Sequence, residues 1–373
     1  MNNTDHRKTS RVLLNLLLAL AATAHAQAAT DSQEVSAKLA KAEKLIDAGK
    51  ARAASVMLRE IIRSRPDNAE AHMQLGAALA ALAENDNYAD AIAEEEKAIK
   101  LDSNSAGARR ILGMIYANQR KHDEAINLLN EACKLNPNSF AAHRDLSKAY
   151  MAAGRIDDAV TAQRKAIDLK PDNYGAHSKL AVILAKKGDT ESAIKEAKRA
   201  IDLGGKHAET HLLLANILLD SGDSAGSIEP FKDAIAANGY DALGCLNPLT
   251  AANALSGLGW ALAAKPDATN DILDESLRYQ KKAIKAHPGF LTAHIRTAQL
   301  LARRKRTKEA ATMFQNLFKA SHQEPTVGIA YAKYLTSIGK DDEARSILKK
   351  ALEVSPENKQ VSDELAKFSS AKK

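Results

Sequence analysis

Five histidines stand in matching contexts: His72 in "EAHMQL", His143 in "AAHRDL", His177 in "GAHSKL", His211 in "ETHLLL" and His294 in "TAHIRT". Such a column could bind a metal or relay protons, because imidazole is a common zinc ligand and titrates near neutrality. Zinc requires its nitrogens about 2.0 to 2.1 Å from one ion. His143, His177 and His211 follow one another at 34 residues, and equivalent side chains of a stacked unit point the same way, separated by roughly 10 Å of helix spacing. Parallel rings do not converge on one ion, so the column reads as packing that recurs with its unit. If these rings are buried and neutral, protonation near about 6.5 would loosen the stack in acid.

Other reactive residues give no catalytic pattern. The chain has no HExxH, CxxC, GxSxG or Walker phosphate loop, so the common hydrolase, zinc and nucleotide signatures are missing. "GLGWAL" at Gly257 lacks a third glycine and a preceding strand, and is not a dinucleotide loop. The runs Glu94-Glu95-Glu96 and Asp341-Asp342-Glu343 spread over different faces of a helix and read as solvated surface. Cys133 and Cys245 are the only cysteines. A disulfide needs Cα atoms within about 7 Å, and these two lie some three units apart, so Cys133 reads as a small core residue and Cys245 as a loop thiol. No catalytic residue, cofactor or metal site is expected.

The elements that position these residues are helices. Aromatic residues make up only 4% of a 373-residue chain that is 45% hydrophobic, so alanine and leucine supply the apolar surface, as close helix packing favours. Each 34-residue unit holds two helical patterns around a turn such as "GRIDDA", "GDTESA" or "GKDDEA". Gly154, Gly188, Gly222 and Gly339 suit the left-handed residue that ends a helix, and the Asp or Thr after them favours the next start. Pro66, Pro137, Pro171, Pro288 and Pro356 close the second helices. Three columns of small residues let helices approach: Gly76, Gly113, Ser147, Ala181, Ala215 and Gly259; Ala91, Ala125, Ala159, Ala193 and Ala310; and Ala98, Ala132, Ala166, Ala200, Ala234, Ala283 and Ala351.

These residues resemble the tetratricopeptide repeat (TPR) family, whose unit is a 34-residue helix hairpin. The resemblance implies an all-α, right-handed superhelical solenoid of antiparallel helix hairpins. Nine repeats are expected, over 35–68, 69–105, 106–139, 140–173, 174–207, 208–241, 252–290, 291–324 and 325–358, with a C-terminal capping helix. In domains this reads as 1–26 signal peptide, 27–34 short linker, 35–241 repeats 1–6, 242–251 linker, 252–358 repeats 7–9, and 359–373 capping helix and frayed tail. The eighth repeat carries Leu317 where the third column has alanine. The signal peptide rests on the basic residues His6, Arg7, Lys8 and Arg11, the apolar run Val12 to Ala22, and Ala24-His25-Ala26 before Gln27; an uncleaved anchor is its alternative. It makes the protein exported, and periplasmic or secreted.

In this family the first helices line a concave groove for extended peptides or helices. The resemblance places Arg110, Met114, Arg144, Lys148, Met151, Lys186, Asn216 and Trp260 in that groove. It does not reproduce the family's clamp for acidic tails, because Met114 follows Arg110 and Asp145 follows Arg144. Arg144 is the leading candidate for partner contact, and Trp260, the only tryptophan, suits an interface hot spot or ordinary packing. "RRKR" at Arg303, Arg304, Lys305 and Arg306 replaces a glycine turn and offers contact to an anionic partner, lipid headgroups or polysaccharide, or a solvated turn.

Residues 27–277 carry a net charge of −6 and residues 278–373 a net +11, which allows self-association through the tail. Export, modest net charge and the lack of interleaved aromatics argue against nucleic acid. The expected function is a non-enzymatic scaffold or adaptor that binds a protein segment, within an envelope assembly or secretion complex. The alternative is a noncatalytic accessory or targeting subunit of an envelope enzyme such as a polysaccharide synthase or transferase.

Overall fold

A computed structural model describes residues 32–84, 87–204, 207–239, 247–264 and 268–370. The expected signal peptide, Cys245 and the first five residues of the expected 242–251 linker lie outside these residues. Every regular element among the described residues is a helix. The chain divides between Pro171 and Asp172 into two compact units, and a helix begins at Pro248, within the expected 242–251 linker.

Unit 1 contains α1 (32–47), α2 (Ala51–Ser64), α3 (Ala69–Leu82), α4 (Ala89–Leu101), α5 (Ala106–Asn118), α6 (His122–Leu135), α7 (Phe140–Ala152) and α8 (Ile156–Leu169). Unit 2 contains α9 (Tyr174–Lys187), α10 (Thr190–Gly204), α11 (Ala208–Asp220), α12 (Ser224–Ala237), α13 (Pro248–Ala263), α14 (Asn270–Ala286), α15 (Leu291–Arg303), α16 (Thr307–Ala320), α17 (Pro325–Ser337), α18 (Asp341–Val354) and α19 (Lys359–Ser370). Odd and even helices pair as hairpins. Within unit 1, α3 packs on α5 and α5 on α7; within unit 2, α9 packs on α11, α11 on α13, α13 on α15 and α15 on α17. Among the described residues no comparable packing joins successive even helices. Within each unit the odd, first helices therefore form a continuous layer of their own.

The turn chemistry explains the hairpins. Asn68, Ser105, Ser139 and Asn173 cap first helices by accepting from the backbone N–H three residues on, which satisfies a donor that the helix leaves unpaired. Asp189 and Asp223 do the same for second helices, whereas α6, α8 and α18 begin without a side-chain cap and carry acidic residues in their first turns instead. Gly154, Gly188, Gly222 and Gly339 all take positive φ. Where the turn lacks glycine, Arg120 at φ 61° and Lys305 at φ 59° fill the same left-handed place.

The small columns set the packing. Ala98, Ala132, Ala166, Ala200, Ala234, Ala283 and Ala351 are all 0% exposed. Leu317, at the corresponding place in α16, is only half-buried and lines a cavity of about 630 Å³ with His294, Leu301 and Met313. The larger side chain does not fit where a methyl group suffices. Beyond it, Phe314 stacks on Tyr331 and Tyr334 at 5.5 and 5.1 Å, and α19 closes the last hairpin by burying Val361, as a solenoid end requires.

Candidate binding surface

The histidine column proves to be a hydrogen-bonded brace. His72, His143 and His294 each place Nε2 at 2.9 to 3.0 Å from the carbonyl of a proline six residues earlier, Pro66, Pro137 and Pro288. A carbonyl only accepts, so Nε2–H donates and ties the first helix to the turn behind it. In His72 and His177 the other nitrogen faces a carboxylate of the following helix, Glu94 at 2.5 Å and Glu196 at 2.6 Å; His211 stands 3.6 Å from Asp233. The spacing of six between proline and histidine was the legible sign of this role. The premise of acid loosening, rings buried among apolar groups, does not hold for His72 and His177, whose Nδ1 faces a carboxylate. Among the described residues no three His, Cys, Asp or Glu side chains stand close enough to share an ion.

The acidic run of α4 needs a correction. Glu95 is 0% exposed, not solvated. It lies four residues after Ala91, in the register of Leu58, Leu129, Phe231, Phe314 and Leu348, all at most 1% exposed. Three consecutive residues do spread over different faces, and one of those faces points into the core. Gly76 makes room for it, since a Cβ there would collide with the Glu95 carboxyl. Among the described residues neither oxygen has a hydrogen-bond partner. Burial pushes its pKa up to about 9, against the opposing pull of Arg110, so the group is a neutral acid at physiological pH.

In unit 1 the expected groove residues fall on α5 and α7, in the first-helix layer. Arg110 and Arg144 converge on one carboxylate, that of Asp145, which is only 5% exposed. Arg110 Nη1 donates to Oδ2 at 2.9 Å, and Arg144 donates to Oδ1 through Nε at 3.0 Å and Nη2 at 2.8 Å. Arg110 also approaches Met114 Sδ, and Arg144 lies over the Phe140 ring. Both arginines are therefore engaged within the chain, although Arg144 stays exposed; of the other expected groove residues here, Lys148 is exposed and Met114 and Met151 are half-buried. Cys133 is half-buried nearby, its thiol pushed up to about 11 by burial and then by Asp145, which leaves little thiolate for reaction.

In unit 2 Lys186 is exposed on α9, and Asn216 and Trp260 are half-buried on α11 and α13. Trp260 is covered by a residue that the sequence reading passed over. The Arg296 guanidinium of α15 lies 5.6 Å above its ring, and Arg296 Nη1 donates to Ser256 Oγ on α13 at 3.0 Å. Arg296 forms no ion pair among the described residues. Burial lowers its pKa to about 10, with Asp220 of α11 acting in the opposite direction. The signal was in the sequence: Arg296 follows His294 by two places, as Asp145 follows His143.

The basic run at the α15–α16 turn is bound into the chain. Arg303 donates to the Ala263 carbonyl. Arg304 makes two bonds to Asp274 at 2.9 and 2.8 Å, and Arg306 two to Glu309 at 2.7 and 2.6 Å. Lys305 is exposed at the left-handed position. Each of the three arginines thus meets an acceptor inside unit 2.

Family models described as tetratricopeptide repeat match residues 39–106, 144–208 and 178–242, residues 118–162, and residues 329–358. Together they cover more than half of the chain. Among solved structures, a tetratricopeptide repeat protein from Parabacteroides merdae is 15% identical, with 70% of this chain and 98% of that one aligned at a TM-score of 0.57. It shares the fold. MamA is 28% identical over 44% of this chain and 95% of its own, with a TM-score of 0.38; yeast Tom70 is 18% identical over 85% and 62%, with a TM-score of 0.49. No curated protein matches the chain.

Proposed function

Since the chain belongs to the tetratricopeptide repeat family, we propose that it is an adaptor that holds a protein segment against its first helices, in the periplasm, within an envelope assembly or secretion complex. The observation that carries this reading is the layer itself. First helices pack on one another within each unit and present long polar side chains around half-buried Met151, Asn216 and Trp260. Aromatic and basic residues beside apolar surface are what protein interfaces enrich. The export step rests on the sequence of residues 1–26.

The test is photocrosslinking in cells from Lys148 and Asn216 on first helices, against Thr161 and Lys165, which are exposed on α8. The expected result is one protein captured from both first-helix positions and not from α8. Equal capture from α8 removes the proposed surface. Mass spectrometry of the periplasmic fraction should find a chain starting at Gln27; an intact residue 1 in the cytoplasm contradicts the location.

A further inference from the structure

The cavity beside Leu317 belongs to the second-helix side of unit 2, since most of its lining comes from α16. Its volume of about 630 Å³ falls in the range of small-molecule sites, and Leu301, Met313 and Leu317 make its walls apolar. α15 and α16 run antiparallel, so His294 and Asn316 stand at one end of this volume and Leu301 and Lys308 at the other. The helix between Lys308 and Asn316 spans roughly 12 Å.

The other histidines of the column show what the His294 end lacks. In His72, Nε2–H donates to the Pro66 carbonyl and Nδ1 stands 2.5 Å from Glu94 Oε2; in His177, Nδ1 stands 2.6 Å from Glu196 Oε2. Lone pairs repel at such distances, so a proton lies between nitrogen and oxygen. Those acids follow their histidines by 22 and 19 residues. His294 likewise gives Nε2–H to the Pro288 carbonyl, but the same spacings lead to Asn316 and Met313, both in the cavity lining. Among the described residues nothing bonds its Nδ1. His143 also lacks the acid, with Lys165 in its place; His294 joins the missing acid to an apolar volume. The charge around it is complementary to an anion. Residues 276–286 of α14 and 310–320 of α16, the halves beside the start of α15, hold Arg278, Lys281, Lys282, Lys285 and Lys319 and no acid. The acid in the lining, Glu309, is held by Arg306.

We propose that this cavity binds a medium-chain fatty acid, with its carboxylate on His294 Nδ1 and Asn316 and its acyl chain along Leu317, Met313 and Leu301. The carboxylate supplies to His294 what Glu94 supplies to His72, with one proton taken up from solvent. An α-helix, about 10 to 12 Å across, is too thick for this volume, whereas a single acyl chain is not. The site is separate from the first-helix surface and independent of the adaptor reading.

Full-length protein is titrated by calorimetry with dodecanoate, dodecanol, dodecyltrimethylammonium and hexanoate, each below its micelle concentration, and the ring resonances of 15N-labelled histidine are followed. Dodecanoate should bind one to one, at least tenfold tighter than the other three, since they lack the anionic head or most of the apolar area. It should shift the His294 Nδ1 resonance and leave those of His72 and His177 in place. Asn316→Glu puts an internal acid 22 residues after His294, as Glu94 stands to His72, and should weaken dodecanoate binding at least tenfold. If that variant does not fold by circular dichroism, Met313→Glu decides, because it copies the 19-residue spacing of Glu196 and carries the same expectation. Equal binding of dodecanol or of the cationic amphiphile, a stationary His294, no binding, or wild-type affinity in the folded variant overturns the inference. A protein, or a second copy of this chain, crosslinked in cells from Thr312, exposed on α16, also overturns it by giving the cavity another occupant.

Discussion

The two units solve the same local problem with opposite charges. In unit 1, two places before the small residue Ser147, Asp145 sits in the first-helix layer, and Arg110, three places before Gly113 on the preceding first helix, reaches across to it. In unit 2 the matching places hold Arg296, two before Ala298, and Ser256, three before Gly259. One arrangement is closed by its own carboxylate and the other lacks one. A basic residue on a repeat surface is thus not by itself a binding residue. What differs is whether an acceptor is already supplied: Asp145 engages both Arg110 and Arg144, while Arg296 forms no ion pair among the described residues.

The largest expected effect concerns the carboxyl group that unit 1 buries without a hydrogen-bond partner among the described residues. Glu95 has a folded pKa of about 9 against an ordinary 4.5. Below pH 4.5 both states hold the proton and nothing is lost. As pH rises towards 9 the unfolded chain ionises while the folded one does not, so stability falls by about 1.4 kcal/mol per unit. At pH 7.5 the cost reaches an upper bound of about 4 kcal/mol. Glu95→Gln should therefore raise the melting temperature at pH 7.5 and leave it unchanged near pH 4.5. Parallel melting curves for both proteins across pH 5 to 8 would remove the buried neutral acid from unit 1.

Next comes the contrast between the arginines. Replacing Arg110 and Arg144 together by methionine leaves Asp145 buried and uncompensated, at a cost of about 3 kcal/mol, the lower end for a broken buried pair because Arg144 is nearly half exposed. Arg296→Met abandons no acid and should cost under about 1 kcal/mol. Urea midpoints of the two variants, compared with wild type, check this; equal losses would erase the distinction between the units.

A smaller effect sits at the turns. Arg120 in unit 1 and Lys305 in unit 2 hold left-handed backbone that glycine occupies elsewhere. Glycine at either place should stabilise by about 0.5 to 1 kcal/mol, the relief of strain less the entropy glycine adds to the unfolded chain. Thermal melts of Arg120→Gly and Lys305→Gly should shift upward together. A downward shift in one would mean that its side chain contributes more than its backbone costs.

The fold was legible because it repeats: proline, glycine and alanine columns at a fixed period specify helices, turns and approach distances together, and Ala98 through Ala351 lie where the period puts them. The surface was legible only as a set of places. Arg110 and Arg144 were assigned by register to the groove, and register places a Cα without saying what the adjacent hairpin presents to the side chain. Asp145 was visible as an interruption and not as the hub it is. Glu95 was misread because three adjacent acids suggest solvent, although its distance of four from Ala91 puts it in the core column. Arg296 shared the register of Asp145, but a comparison across units, rather than within one hairpin, was needed to see that its acceptor is missing.

The separation of closed from open arginines is most directly measured on the guanidinium groups themselves. Protein labelled with 15N-arginine is compared with its Asp145→Asn variant at the Nε–H resonances of Arg110, Arg144 and Arg296. The account predicts that Arg110 and Arg144, held on Asp145, shift while Arg296 stays in place. Movement of Arg296 with stationary unit 1 arginines, or the same response from all three, would contradict it.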